Sequence, residues 1–164
     1  MTLLSWIEDY SIGVPEVDVE HRYLFDLINE FHDQYFAGAE HPNILRVLNR
    51  LIAYAEKHFQ HEEELMTRIG YPHLDTQHKM HEALVMDIFA LNERLSSGIE
   101  TVSGETLNFL KAWLVNHIVR EDMGIGDFMR RKSMRTDASA KTGESQASKA
   151  EGSRKFEDED GAKR

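Results

Sequence analysis

Five polar side chains lie on helical stripes whose other residues are Leu, Ile and Phe. They are His21, His58, Glu62, His81 and His117. Burying one unpaired polar group typically costs about 1–3 kcal/mol, and a bare carboxylate costs far more. A bound metal ion neutralises the carboxylate and gives each imidazole a partner. The residue types therefore predict a buried metal centre with histidine and carboxylate ligands.

The spacing of these residues indicates more than one ion. His58 and Glu62 are four residues apart, so both leave the same face of a helix and can reach one centre. His117 and Asp122 are five apart, a swing of about 140° beyond a full turn in an ideal helix. Asp122 therefore converges only at a helix end or through a local distortion. Two carboxylates with several imidazoles exceed the needs of one tetrahedral zinc and match two ions bridged by carboxylates.

Apolar residues recur at steps of three and four along four segments, which predicts four amphipathic helices with short links. The predicted helices run from an N-cap at Asp18 to about Ala37, from after Pro42 to about Ile69, over about 74–97, and over about 103–121. Gly124 and Gly126 are predicted to weaken the end of the fourth helix. The predicted fold class is all-α: an antiparallel up-down four-helix bundle with an N-terminal arm and a disordered C-terminal tail.

The two ends of the chain differ from these helices. Residues 1–17 carry Trp6, Tyr10 and Ile12 without helical spacing, which predicts an ordered arm packed on the core. From Ser133 large apolar residues become rare, and seven basic and seven acidic side chains cancel. Such a segment buries too little surface to offset its ordering entropy. The predicted organisation is a bundle domain over 1–132 and a disordered, low-complexity polar tail over 133–164.

Composition excludes several classes of protein. The net charge of −10 argues against a nucleic-acid binder, which would show a basic face. The lack of cysteine excludes disulfides, iron–sulfur clusters and thiolate zinc sites. No stretch approaches the roughly 20 apolar residues of a membrane span, so we expect no membrane insertion. The N-terminus has no basic region before a long apolar run, which argues against a signal peptide and predicts a cytoplasmic protein.

An ordered set of motifs makes the sequence similar to bacterial hemerythrins over roughly residues 4–130. The motifs are VDVEH with His21, HFQHEEELM with His58 and Glu62, IGYP, a following His81, and WLVNHIVRED with His117 and Asp122. The resemblance implies a dioxygen-binding protein with two iron ions (Fe2+/Fe3+) and an oxo or hydroxo bridge. The implied ligands are His21 and His58 for the iron that keeps an open position, His81 and His117 for its neighbour, and Glu62 and Asp122 as bridges.

The third predicted helix departs from the family pattern, which has a second histidine four residues before His81. Position 77 is Gln, and His78 follows it. Two interpretations stay open. Gln77 lies on the same stripe as His81, and as a poorer ligand it would leave the second iron with a vacant or weakly occupied position. Alternatively His78, about 60° from the direction of His81, ligates if the helix start is irregular.

The other histidines and the glutamates beside Glu62 are not predicted to be metal ligands. His32, His41, His61 and His73 fall off the interior stripes or at helix ends, and we expect them at the surface. Glu63 and Glu64 form a solvated charge run beside Glu62, without a part in the chemistry.

The resemblance implies binding of dioxygen for carriage, storage or sensing, with NO and peroxide as further candidate ligands. A separate redox or signalling protein is the expected partner. The alternative is a di-iron redox enzyme, an oxidase, peroxidase or NO-handling protein, with an extra open iron position caused by Gln77. Steady consumption of substrate with a reductant distinguishes this enzyme from an oxygen-binding protein.

Overall fold

The computed structural model describes residues 2–151, with side chains described to residue 137, and this part of the chain contains helices and no strand. The order is a 3-10 turn at Glu8–Tyr10, α1 at Pro15–Phe36, α2 at His41–Ile69, α3 at Leu74–Ser96, α4 at Gly104–His117, a π-helical turn at Ile118–Asp122, and α5 at Met123–Glu151. The all-α class and the four bundle helices are confirmed.

The N-terminal arm is ordered and packs on α1, as predicted. Leu4 and Ile12 are buried. The side chain of Asn29 accepts a hydrogen bond from the Leu4 N–H at 2.9 Å and donates one to the Leu4 carbonyl at 2.8 Å. The Trp6 ring lies edge-on to Phe25, with ring centroids 5.5 Å apart. Apolar packing and paired backbone groups together hold the arm against the helix.

α1 begins at Pro15, so the predicted N-cap at Asp18 is wrong. Proline suits the first helical turn because its fixed φ is helical and no intrahelical partner exists there for an N–H. Asp18 lies inside the helix and is buried. Its carboxylate accepts hydrogen bonds from the Ile12 N–H at 2.8 Å and the Ser11 hydroxyl at 2.5 Å. Asp18 thus ties the arm to the helix that carries His21.

Side-chain packing and defined helix ends fix the other bundle helices. α2 ends as predicted at Ile69, where Gly70 takes a left-handed φ of 71° and the Tyr71 N–H donates to the Met66 carbonyl at 2.9 Å. α1 packs against α2 and α4, and α2 packs against α3. The indole N–H of Trp113 on α4 donates to the Leu84 carbonyl of α3 at 3.0 Å. No helix within residues 2–151 is apolar over enough of its length to cross a membrane.

The prediction that Gly124 and Gly126 weaken the helix is also wrong, because α5 runs through both. A Cβ at Gly126 would lie 1.7 Å from the carbonyl oxygen of Ile12 in the arm. A Cβ at Gly124 would lie 2.7 Å from the Tyr71 hydroxyl. These glycines permit close packing and do not end the helix.

The chain forms two compact units, one through Asp127 and one from Phe128. α5 continues as helix to Glu151, past Ser133, where the predicted tail begins. Ala, Lys, Glu and Gln recur among residues 138–151, and these are favourable helix formers without needing a buried face. Residues 152–164 of the predicted tail lie outside the described residues. The domain boundary at 132/133 stays a prediction.

Candidate metal centre

Glu62 of α2 is fully buried, and its two oxygens face two different pairs of histidines. Its Oε1 lies 3.4 Å from Nε2 of His21 and 3.2 Å from Nε2 of His58. Its Oε2 lies 3.3 Å from Nε2 of His81 and 3.8 Å from Nε2 of His117. One carboxylate therefore spans two groups of nitrogen donors that come from four helices.

Asp122 spans the same two groups. Its Oδ2 lies 3.2 Å from Nε2 of His21, and its Oδ1 lies 3.1 Å from Nε2 of His117. The π-helical turn at Ile118–Asp122 explains how it arrives there, because the wider turn takes up one residue more than an α-turn. His117 and Asp122, five apart, therefore face the same point. The local distortion predicted from their spacing is confirmed.

The six side chains form two sets of four that share both carboxylates. One set is His21, His58, Glu62 and Asp122, and the other is Glu62, His81, His117 and Asp122, with the donor atoms of each set within 4.8 Å of one another. Ligand atoms about 2.1 Å from one ion and at right angles to each other are about 3.0 Å apart. Most of the nitrogen–oxygen separations, 3.1–3.4 Å, are close to that value.

The donor atoms fit metal ions because they are buried without hydrogen-bond partners. The partnerless atoms include Nε2 of all four histidines and both oxygens of each carboxylate: His21, His58, His81, His117, Glu62 and Asp122. Buried polar groups are normally hydrogen-bonded, and eight unsatisfied atoms in one place need an explanation. Cations between the imidazoles and the carboxylates satisfy all of them at once.

Comparison with known proteins agrees with this geometry. The family model Hemerythrin HHE cation binding domain matches residues 12–128. The chain belongs to the hemerythrin family. It is 34% identical over 130 residues to a bacteriohemerythrin of Pseudomonas aeruginosa, covering 79% of this chain and 84% of that one. It is 32% identical to a myohemerythrin of Theromyzon tessulatum, covering 72% and 87%. A solved wild-type hemerythrin structure superposes with a TM-score of 0.71 at 31% identity, covering 76% and 96%.

Two carboxylates outside the centre hold two of the four histidines. Glu20 of α1 accepts a hydrogen bond from Nδ1 of His58 at 2.7 Å and, with its other oxygen, from Nδ1 of His61 at 2.7 Å. Glu63 of α2 accepts from Nδ1 of His81 at 2.8 Å. Such bonds fix the tautomer of an imidazole and leave Nε2 as the free donor toward a metal.

The interpretation of Glu63 as part of a solvated charge run is therefore wrong. Glu63 is partly buried and bonds His81, and its other oxygen accepts from Nδ1 of His78 at 2.9 Å. Glu20 was missed altogether. The available sequence signal was an acidic residue directly beside a ligand motif, in VDVEH and in HEEE. Exposed acidic residues are common on helices, so this signal is weak without the cross-helix contact.

A buried aromatic ring supports the imidazoles from the apolar side. Phe59 stacks on the ring of His81, with centroids 4.2 Å apart and planes at 8°. It also lies edge-on to His117 at 5.2 Å and tilted against His58 at 5.6 Å. One side chain thus contacts three of the four histidines and excludes water from their flank.

The buried carboxylates of the site favour positive charge beside them. Burial opposes protonation of His58, but the carboxylates of Glu62, Glu20 and Asp122 outweigh it and raise the pKa of His58 to about 10. Burial also opposes protonation of His117, and Asp122 and Glu62 raise its pKa to about 10. The facing imidazoles hold the pKa of Glu62 well below its usual range, although burial acts to raise it. Two buried carboxylates therefore stabilise positive charge between them.

The structure separates the two residues considered for the third-helix position. Gln77 is 3% exposed, on the same face of α3 as His81. The side chain of His78 is 54% exposed, and its ring nitrogens lie near Glu63, at 2.9 Å, and Glu82, at 3.6 Å. His78 thus faces outward, where carboxylates occupy both of its nitrogens.

Among the histidines expected at the surface, His41, His61 and His73 are exposed, as predicted. His32 is different, because it is only 9% exposed. Its Nδ1 lies 2.9 Å from a carboxylate oxygen of Asp33, and its ring packs on Phe36 with centroids 4.6 Å apart. The surface prediction for His32 is wrong, because His32 lies on the buried face of α1, four residues after Ile28 and seven after Phe25.

Proposed function

We propose that this chain binds dioxygen at a carboxylate-bridged pair of iron ions. The proposed ligands are His21 and His58 for one ion, His81 and His117 for the other, and Glu62 and Asp122 as bridges. The observation that carries the proposal is the division of each carboxylate between two histidine pairs, with oxygens of Glu62 and Asp122 turned to both sides. Membership of the hemerythrin family supports the choice of iron and of dioxygen.

The donor set suits iron better than the other metals that proteins commonly hold. Imidazole nitrogens favour iron, zinc, copper and nickel, and the absence of thiolates removes the soft alternatives. Zinc usually takes four ligands around a single tetrahedral ion and has no redox chemistry. When bound, a pair of ferrous ions supplies two electrons and an open coordination position for dioxygen.

The protein's own side chains hold and shield the centre. Glu62 and Asp122 neutralise the charge of two cations and set the distance between them. Glu20 and Glu63 orient the imidazoles of His58 and His81 from outside. Phe59 covers the imidazoles with an apolar ring, and an apolar, water-poor site slows proton-assisted loss of a bound oxygen species.

Dioxygen binding at this site serves carriage, storage or sensing in the proposed function. Each of these uses requires that the bound state reverses when dioxygen is removed. A sensor needs a separate signalling partner. A carrier that is reduced again after oxidation needs a separate redox partner. We propose a cytoplasmic location on the composition of the sequence alone.

The test is anaerobic reconstitution with ferrous iron, followed by iron analysis and an optical spectrum before air, in air and under vacuum. The expected result is about two iron ions per chain and a visible absorption that appears in air and disappears under vacuum. The variant His58→Ala should lose iron and the spectral change. The matched control His73→Ala, at an exposed histidine of the following loop, should behave like the wild type.

Two outcomes would contradict the proposal. Iron well below two per chain in the wild type would remove the di-iron centre. Steady consumption of dioxygen, peroxide or NO with a reductant, without a reversible oxygenated spectrum, would replace an oxygen-binding protein by a redox enzyme.

A further inference from the structure

We propose that the amide oxygen of Gln77 is a ligand of the ion held by His81 and His117. We propose further that this oxygen makes that position more favourable to manganese than a histidine at position 77 would make it. The inference rests on the proposed di-iron centre and deepens it, because it assigns a metal preference to one of the two positions.

The side-chain oxygen of Gln77 has no hydrogen-bond partner. Gln77 is 3% exposed, and its Oε1 is buried without a hydrogen-bond partner. An unpaired buried amide oxygen costs about 1–3 kcal/mol, and a leucine at this position would avoid that cost. Apart from the metal centre, only two side-chain atoms within the described chain share this state, one in Trp6 and one in Asn92. A cation is a suitable partner for a lone carbonyl oxygen.

Gln77 lies on the same buried face of α3 as the candidate ligand His81. Gln77 lies one helical turn before His81 on the buried stripe of α3, so the two side chains leave the same face of the helix. Nε2 of His81 lies 3.3 Å from Oε2 of Glu62, so this face is turned toward the centre. His78 has no such position, because its ring is exposed and lies between Glu63 and Glu82.

The consequence is a difference between the two positions. His21 and His58 share their ion with two carboxylate oxygens. The ion of His81 and His117 has the same donor types and gains a neutral amide oxygen from Gln77. Carbonyl oxygens suit manganese better than imidazole does, and they bind iron more weakly. The second position should therefore tolerate manganese, and it should bind iron less tightly than it would with a histidine at position 77.

The experiment is anaerobic loading with equimolar Fe2+ and Mn2+, removal of free metal, and metal analysis by mass spectrometry. The variants are Gln77→His, Gln77→Glu and Gln77→Leu, with Thr76→Ala as control because Thr76 is exposed on the same turn. Relative to wild type, Gln77→His should lower the Mn:Fe ratio about tenfold, a change typical of altered metal coordination. Gln77→Glu keeps an oxygen donor and should retain the manganese, whereas Thr76→Ala should match the wild type.

A second readout is the rate at which a chelator removes iron from the protein. Gln77→Leu removes the amide oxygen and should speed the loss of one of the two ions about tenfold, while the other ion leaves at the wild-type rate. Gln77→His supplies an imidazole instead and should slow the loss of that ion relative to wild type.

Several results would overturn the inference. If Gln77→Leu and Gln77→His both match the wild type in metal content and in release, residue 77 is not a ligand. If His78→Ala removes one ion and Gln77→Leu does not, the ligand is His78. Failure of the di-iron proposal looks different, because the wild type itself would then hold fewer than two ions under every loading condition.

Discussion

The four histidines of the centre are held in two different ways. His58 and His81 each donate Nδ1–H to a carboxylate on a neighbouring element, Glu20 or Glu63. In His21 and His117 the Nδ1 atom is buried without a partner. Each ion would therefore receive one imidazole fixed by an outer hydrogen bond and one fixed by packing.

The site therefore has a hydrogen-bonded half, with His58 and His81, and a packing half, with His21 and His117. On α2 and α3 a hydrogen bond sets the orientation of the ring, so a change of one outer side chain should loosen one ligand. On α1 and α4 no such hydrogen bond is present, and the rings of His21 and His117 depend on the packing around them. The π-helical turn brings Asp122 beside His117, and Gly126 fits beneath the arm at Ile12. A change in backbone packing should therefore disturb this second half.

Substitution of a bridging carboxylate should disrupt both halves of the site at once. Glu62→Gln replaces a bridging carboxylate that faces both histidine pairs by a neutral amide, so both ions should be lost. Metal analysis after anaerobic reconstitution measures the loss. The matched control is Glu64→Gln, an exposed residue of the same helix that should keep the wild-type metal content. Two ions retained in Glu62→Gln would mean that this carboxylate is not a bridge.

A substitution at Gly126 tests the packing half, which holds His21 and His117. Its added Cβ in Gly126→Ala would lie 1.7 Å from a backbone oxygen of Ile12, which cannot rotate away. We expect a loss of about 3 kcal/mol in the free energy of unfolding, with weaker metal binding as the turn before it shifts. Gly124→Ala should lose less, because its contact at 2.7 Å is the end of the Tyr71 side chain. Urea unfolding measures both.

The control for these glycine substitutions is Gly104→Ala, where an added Cβ meets nothing within 4 Å. It should be neutral or stabilising by up to about 1 kcal/mol, as alanine favours helix. Equal stability of Gly126→Ala and Gly104→Ala would show that the arm does not press on α5.

The hydrogen-bonded half is loosened at the outer carboxylates. Glu20→Gln and Glu63→Gln should each weaken metal binding about 10–100-fold, because the imidazole loses a charged hydrogen-bond acceptor. Competition with a chelator of known affinity measures this. His61→Ala and His78→Ala remove the exposed histidines bonded to the same carboxylates and should change affinity little. If the histidine variants weaken binding as much as the carboxylate variants, the outer bond to the ligand is not the cause.

The smallest expected effect is a pH dependence at Glu20. Burial acts to raise its pKa, but His58 and His61 outweigh it and lower the pKa below 4.5. A carboxylate with a depressed folded pKa stabilises the fold above its unfolded pKa, and that contribution is lost as pH falls through the folded pKa. The iron-free Glu20→Gln variant should be less stable than wild type at about pH 6.5 by under about 1 kcal/mol, since Glu20 is largely solvent-screened.

That difference should shrink near pH 4 as the wild-type carboxylate becomes protonated, and urea unfolding of the two proteins at both pH values measures it. A gap that widens with acid would contradict the sign of the shift.

The burial of the candidate ligands was predictable because helical periodicity reports which residues face the core. His21, His58, Glu62, His81 and His117 fall on apolar stripes, and the structure buries all of them. The distortion near Asp122 was predictable as well, since a spacing of five does not fit an α-helix. Periodicity decides which face a residue occupies, and that was sufficient to predict that these side chains come together.

Contacts between elements were not predictable in the same way. Glu20 and Glu63 lie at the edge of the stripes, and their bonds to His58 and His81 depend on how the helices are rotated against each other. The prediction for Gly126 failed for a related reason: its neighbour, Ile12, is more than a hundred residues away in sequence. His32 was missed because the buried face of α1 is wider than the predicted stripe and also includes Phe25 and His32.

We expect two ions between the histidine pairs, sharing both carboxylates. Anomalous diffraction at the iron absorption edge, from crystals of the anaerobically reconstituted protein, locates them directly. We expect two iron peaks, one beside His21 and His58 and one beside His81 and His117, with Glu62 and Asp122 contacting both. A single peak, or iron bound away from Glu62, would contradict this expectation.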